Sequence, residues 1–347
     1  MAVTGSVIVA LAKASTWSSA TSVNSANAGI LLLDAPDFLS KPDAVPDESM
    51  GFFYKEYLDA GYRVVAPTLE GFLRFTNDHW KLFAQLIGDD SATIISGTEY
   101  THVLDMVDDP ALFSTVCLYD GVTVREIPSY KPNGFTLNQQ DGFWKFQIRG
   151  IGDTVLVASQ TNTTLGSVTY RTKTLRAAYG ATTVRINDQS AAALDSTHNI
   201  YPRSMEIVFQ RPHNPEHLAG AVADGSGEFL TLEPQQDGSP TLEITMELPE
   251  YTAVTYAEDL NDETVKKMTV AIDGPTAAAS NSYSATLSFP ALRVTDITYG
   301  MGPGNRRIVE TLKLEGLMAQ AAPTGMTGIT KLFRLAVVDQ VSNPYDT

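Results

Sequence analysis

Residues 68–88 read TLEGFLRFTNDHWKLFAQLIG, and residues 241–261 read TLEITMELPEYTAVTYAEDLN. In the first stretch Leu69, Leu73 and Phe75 alternate with Glu70 and Arg74, the period of a half-buried strand from Thr68 to Thr76. Thr76 or Asn77 then suits a helix cap. Trp80, Leu82, Phe83, Leu86 and Ile87 recur at helical spacing, and Gly88 suits the positive-φ position past the helix end. The second stretch has the same length and lies on the first without a gap. Leu242, Ile244, Met246 and Leu248 face one way, and Glu243, Thr245 and Glu247 the other. Pro249 suits a helix start, Tyr256 falls on Phe83 and Asn261 on Gly88. Strand, helix and stop are therefore expected twice.

The order continues downstream. TVCLYDG (115–121) is echoed by TVAIDG (269–274). Pro128 is followed by the strand GFTL (134–137), a glycine-bearing turn and FWKFQIR (143–149). Pro290 is followed by LRVTDITY, the turn GMGPGN (300–305) and IVETLKLEG. Several matches in one order point to duplication of one domain. Further strands are expected at STVCLY (114–119), DTVLVAS (153–159), SVTYRTKTL (167–175) and TTVRIND (182–188), with QSAAALDSTHN (189–199) as a linker. Segment 90–114 has only a short counterpart at 263–268.

The expected fold class is mainly β, with sandwich- or barrel-forming sheets and a short flanking helix in each of two domains. Residues 1–60 read as an N-terminal arm and loop, rich in Ser, Thr, Asn and Pro. Residues 61–199 form the first β domain with its linker, and 200–347 the second with a C-terminal extension.

The chain has 347 residues and a formal charge of -16, enough length for two cores and the wrong sign for a phosphate-gripping face. The acidity is spread along both halves instead of gathered in a tail. Charged residues make up 18%, against about 25% for an average soluble domain, which suggests surface covered by other subunits. The single cysteine, Cys117, allows no intramolecular disulfide. The N-terminus lacks the basic start of an export signal, and nowhere do about 18 apolar residues run together.

Residues that carry chemistry do not gather in a recognisable pattern. His213 and His217 are four apart, but Pro215 stands between them. The pairs Asp89/Asp90 and Asp108/Asp109 sit at turns, where acids are common. In GMGPGN the spacing is not that of a phosphate loop, and Pro303 removes an amide donor. Gly300, Gly302, Pro303, Gly304 and Asn305 therefore read as the tip of a long hairpin. Asn162 begins a formal glycosylation sequon without an export context. No catalytic group, metal site or cofactor is expected.

A β domain with one flanking helix, a long hairpin, arm-like segments and a duplicated order resembles the tail tube (major tail) protein of long-tailed bacteriophages, in the larger form that carries its tube domain twice. The resemblance rests on the two 21-residue stretches, on TVCLYDG with TVAIDG, and on the paired hairpins. It covers roughly residues 60–160 and 200–320. It implies that sheets of neighbouring subunits join edge to edge into a closed barrel, so that three chains make a ring equivalent to six domains. Rings stacked into a tube would deliver the genome through an acidic lumen without binding it, and Glu70, Glu243 and Glu247 are the candidate lumen-facing residues. The implied partners are further copies of the chain together with tail-tip, tape-measure and tail-terminator proteins, in the virion and with no membrane. A secreted or surface-displayed β-sandwich binding module is the alternative reading.

Overall fold

A computed structural model describes residues 7–25, 27–38, 41–46, 58–88, 90–96, 99–158, 160–165, 167–171, 176–216, 230, 232–249, 256–278, 281–301 and 308–345. The fold is mainly β. The first half contains β1 (Ile8–Ala14), β2 (Ala28–Ile30), β3 (Lys41–Pro46), β4 (Leu58–Val64), β5 (Thr68–Phe72) and helix α1 (His79–Ile87). These are followed by β6 (Asp90–Ser96), β7 (Glu99–Asp105), β8 (Phe113–Tyr119), β9 (Val124–Gln140), β10 (Phe143–Gly152) and β11 (Thr169–Tyr170). The second half contains β12 (Thr182–Asp188), β13 (Asn199–Ile200), β14 (Ser204–Gln210), β15 (His213–Asn214), β16 (Gln235–Gln236), β17 (Thr241–Leu248) and α2 (Tyr256–Asn261). After these come β18 (Val265–Ala278), β19 (Asn281–Met301), β20 (Ile308–Gly316) and β21 (Arg334–Asp339).

One antiparallel run has the order β5, β10, β9, β14, β17, β20, β19. A second has the order β13, β12, β18, β19, β21, β7, β6, and a third β2, β1, β8, β9. The long strands β9 and β19 belong to two runs each and join all three, with β11 parallel beside β2, into one hydrogen-bonded network of 17 strands. The buried face of the first run carries Leu69, Trp144, Phe146, Phe135, Phe209 and Ile244. Helix α1 closes this face, with Phe83 at 5.1 Å from Phe135 and His79 stacked on Phe146 at 4.6 Å. Phe333 packs against Phe135 and Phe209 of the first run and Phe289 of the second, filling the space between them.

The connectivity occurs twice. β1, β2, β5, α1, β8, β9 and β10 correspond in order and pairing to β12, β13, β17, α2, β18, β19 and β20. Even the irregularities recur. Pro128 and Ser129 of β9 together oppose Thr115, and Pro290 and Ala291 of β19 together oppose Lys267. Farther along, Asn133 is left out of the β9–β10 ladder and Thr295 out of the β19–β20 ladder. Proline fits a strand at such bulges because one residue there needs no ladder donor. The strands expected to start after Pro128 and Pro290 run through both prolines, as β9 and β19.

The bulges also correct the gapless match. Beside its bulge Arg149 faces Thr68, and its counterpart Lys313 faces Thr245. Thr245, not Thr241, therefore stands on Thr68, and the same shift puts Tyr256 on His79 instead of Phe83.

Other expectations change locally. β5 ends at Phe72, although Leu73 and Phe75 are buried as the alternation requires. Asn77 and Asp78 do not cap α1. Their carboxamide and carboxylate oxygens accept from the amides of Leu31 (3.4 Å) and Ala28 (3.3 Å), tying the N-terminal segment down. Gly88 does take a positive φ of 121°, and a side chain there would collide with Val107. In the second half that role passes from Asn261 to Glu263, with φ 55°. Of the strand expected at 153–159, the described residues 153–158 form none; Leu156 makes one bridge to Glu126, while the Asp153 carboxylate accepts from the Ser129 amide. Within the stretch read as an arm, β1 pairs with β8 along all its residues. β12, placed by the sequence reading in the first domain, pairs with β18 of the second half.

Candidate assembly surface

Because side chains alternate across a strand, the first run has one buried and one polar face. Cross-strand pairing sets Glu70, Gln147, Thr136, Val208, Glu243, Glu315 and Arg293 in one row across that polar face. Glu247 lies on the same face four residues along from Glu243. All three candidate lumen residues thus share one surface of one sheet. The surface is of mixed sign. Glu70, Glu206, Glu243, Glu247, Asp296 and Glu315 are offset by Lys145, Arg149, Arg293 and Lys313. Lys145 Nζ lies 2.5 Å from Glu70 Oε1, neutralising one candidate outright.

The edges of this run are its other feature. Within this run β14 joins the two halves, pairing with Gly134–Asn138 on one side and with Thr241–Glu247 on the other. Past Arg293, β19 is the counterpart of that stretch of β9, and on the side away from β20 no described strand pairs with it. Thr295, Asp296, Thr298, Tyr299 and Gly300 are exposed. At the opposite end of the run, the chain beside β5 corresponds to β14. The Leu33 amide donates to the Glu70 carbonyl at 2.8 Å, as the Arg203 amide donates to the Glu247 carbonyl at 2.7 Å, and Phe38 is buried in the core.

No family model matches the chain, and no curated protein matches its sequence. A solved structure, titled as the crystal structure of an Hcp protein, is similar over 38% of this chain and 86% of its own length, at 14% identity and a TM-score of 0.25. A likeness at that score fixes neither architecture nor role.

Gly300, the first residue of the expected hairpin tip, lies exposed near the end of β19, while Gly302, Pro303, Gly304 and Asn305 lie outside the described residues. Of the paired histidines, His217 lies outside them too. His213 is half-buried, with burial and the charges of Lys131 and Arg211 lowering its pKa to about 4. Among the described residues no cluster of His, Cys, Asp or Glu could hold a metal. Cys117 is buried beside Glu126, and burial pushes its thiol pKa up, which suppresses the thiolate. Asn162 is buried, its carboxamide bonded to Thr21 and Glu126. A cleft of about 830 Å³ opens beside β12, β13 and α2. Lys266 in its wall is held between Asp188 and Asp259, both at 2.6 Å.

Segment 90–114, with only a short counterpart at 263–268, has a structural role of its own. It forms the β6–β7 hairpin, and β7 pairs with the C-terminal strand β21. His102 on β7 sits between Asp90 (3.0 Å) and Asp339 (3.3 Å) under the ring of Tyr345 (3.9 Å), fastening the C-terminal segment to the hairpin. The sequence could not indicate this surface by motif, since the edges consist of backbone groups. The signal available was the duplication itself.

Proposed function

We propose that this chain is a structural subunit that assembles with copies of itself into rings stacked as a tube, the tail tube of a long-tailed bacteriophage. The observation that carries the reading is the β9–β14–β17 junction. It joins one half-sheet to the next by strand pairing within the chain, while at the far end of the same run no described strand pairs with β19 past Arg293 on the side away from β20. A long exposed edge invites association, and a closed ring removes it. With two domain equivalents per chain, three chains make the ring. The role is structural, without catalysis or cofactor, and the place is the virion, where tail-tip, tape-measure and tail-terminator proteins are the further partners.

The conduit is for DNA in transit. The net charge of -16 supports repulsion of phosphates, although the mixed polar face shows that the charge is not concentrated on the central sheet. Negative-stain electron microscopy across protein concentration tests the proposal: rings or hollow tubes of uniform width are expected, with a ring mass of three chains. A monomer that persists at every concentration overturns it, and a six-chain ring overturns the role given to the duplication.

A further inference from the structure

We propose that Arg74 and Arg176 form a binding site for a phosphate group at the β5 end of the polar face. The inference goes beyond the self-assembly reading and does not depend on it.

The site arises where the chain leaving β5 parts from β10. Past Phe72, residues 176–178 enter between the two: the Ala177 amide donates to the Leu73 carbonyl and the Trp144 amide to the Ala177 carbonyl, both at 2.9 Å. Leu73, Trp144 and Ala177 are buried. Their neighbours Phe72, Arg74, Phe143 and Arg176 therefore lie on the opposite, polar face. Arg74 and Arg176 face each other in an antiparallel bridge. The bond from Ala177 to Leu73 flanks this pair, which makes it the non-hydrogen-bonded kind, in which side chains approach most closely. Like charges so placed repel. Burial and the charge of Arg176 both lower the pKa of Arg74.

Composition does not force this juxtaposition, since the chain holds 24 basic residues against 40 acidic ones. Nor does the repeated fold. In the register that puts Thr245 on Thr68 and Lys313 on Arg149, the counterparts of Phe72 and Lys145 are Pro249 and Val309. Glu70, four residues before Arg74 on the same face, is engaged by Lys145 at 2.5 Å. Arg176 is exposed and forms no ion pair among the described residues. Its guanidinium carbon lies 4.1 Å from the centre of the Phe72 ring and 5.5 Å from that of Phe143. Stacking on the rings holds the guanidinium plane, while the N–H donors, which lie in that plane, point past the ring edges. Guanidinium groups grip carboxylates and phosphates as forks. A carboxylate has two oxygens, which one fork fills, whereas a phosphate group presents oxygens to both arginines and offsets their repulsion.

Isothermal titration calorimetry of the full chain at constant ionic strength tests the site, with inorganic phosphate, acetate as a carboxylate, and single-stranded oligothymidylate as a phosphodiester. Phosphate is expected to bind, and Arg74→Gln and Arg176→Gln each to weaken it about tenfold or more. Arg149→Gln, on the same face but opposite Thr68, is expected to change the affinity by less than about twofold. Oligothymidylate binding more tightly than the free ion, with the same losses in the two variants, names a nucleic-acid backbone as the source of the phosphate. Binding of the free ion alone names a small phosphate. Absence of binding by both phosphate probes overturns the proposal. So does an affinity unchanged in Arg176→Gln, an equal loss in Arg149→Gln, or acetate binding as tightly as phosphate. Circular dichroism establishes that each variant is folded, and if the half-buried Arg74 does not tolerate replacement, the exposed Arg176 decides by the same outcomes.

Discussion

Pro128 and Pro290 occupy the same bulge in two different strands, each with its following residue opposite a single residue of the neighbouring strand. Because a strand alternates faces with every residue, removing one residue from a bulge reverses the inside-outside pattern of everything beyond it. Deleting Pro290 would move Leu292 and Val294, both buried, toward solvent. Deletion of either proline is expected to abolish cooperative unfolding, whereas Pro290→Ala, which keeps the count, is expected to cost about 1 kcal/mol or less. Urea denaturation monitored by circular dichroism separates the two.

The clasp around His102 should respond to alkali. Burial disfavours its charge, but hydrogen bonds and charges of Asp339 and Asp90 outweigh that and raise its pKa from 6.5 to about 9. A group with a raised folded pKa contributes stability that is fully present below pH 6.5 and lost as pH rises through about 9. The loss is on the order of 3 kcal/mol. His102→Gln should flatten the stability profile between pH 6.5 and 9. An unchanged slope refutes the assignment.

His79 acts on the acid side. It is fully buried against Phe146, and burial, with the nearby charge of Arg74, lowers its pKa to about 3. Its neutral form therefore contributes stability above pH 6.5 that declines as pH falls toward 3. Among the described residues neither ring nitrogen has a hydrogen-bond partner, so His79→Phe removes a buried polar group and keeps the stack. The variant is expected to be at least as stable at pH 7 and to resist acid better, measured as the pH midpoint of unfolding.

Asp153 gives a third titration. Burial raises its pKa from 3.8 to about 7, against the pull of backbone bonds including that of Ser129. For this acid the favourable state is the protonated one, so its contribution is present below pH 3.8 and lost as pH rises through about 7. Asp153→Asn keeps an oxygen for the Ser129 amide without the charge. Little change is expected at pH 4, and a gain of about 1 kcal/mol or more at pH 8, read from thermal melts at both values.

Much of the fold was legible in local periodicity. Leu69, Leu73 and Phe75 are buried, α1 occupies its expected place, and TVCLY and TVAIDG lie in the equivalent strands β8 and β18, displaced by two residues because Thr115 stands on Lys267. Glu70, Glu243 and Glu247 do share the polar face, because alternation is a property of each strand separately. Lys145 neutralises Glu70 from a neighbouring strand, and strand-by-strand reading gives no contact between them.

What the sequence by itself determined was the class of fold and the double occurrence of strand, helix and stop. Only the tertiary structure decided the register between the copies, placing Thr68 on Thr245 instead of Thr241. The physical reason lies in the size of the slip. Four residues is an even number, which leaves the faces of a strand unchanged, and close to one helical turn, which leaves the face of a helix nearly unchanged. Periodicity is almost blind to such a displacement, while hydrogen-bond ladders and their bulges are not. The same ladders decided that β7 pairs with β21 and that β14 joins the halves, contacts between segments far apart in the chain.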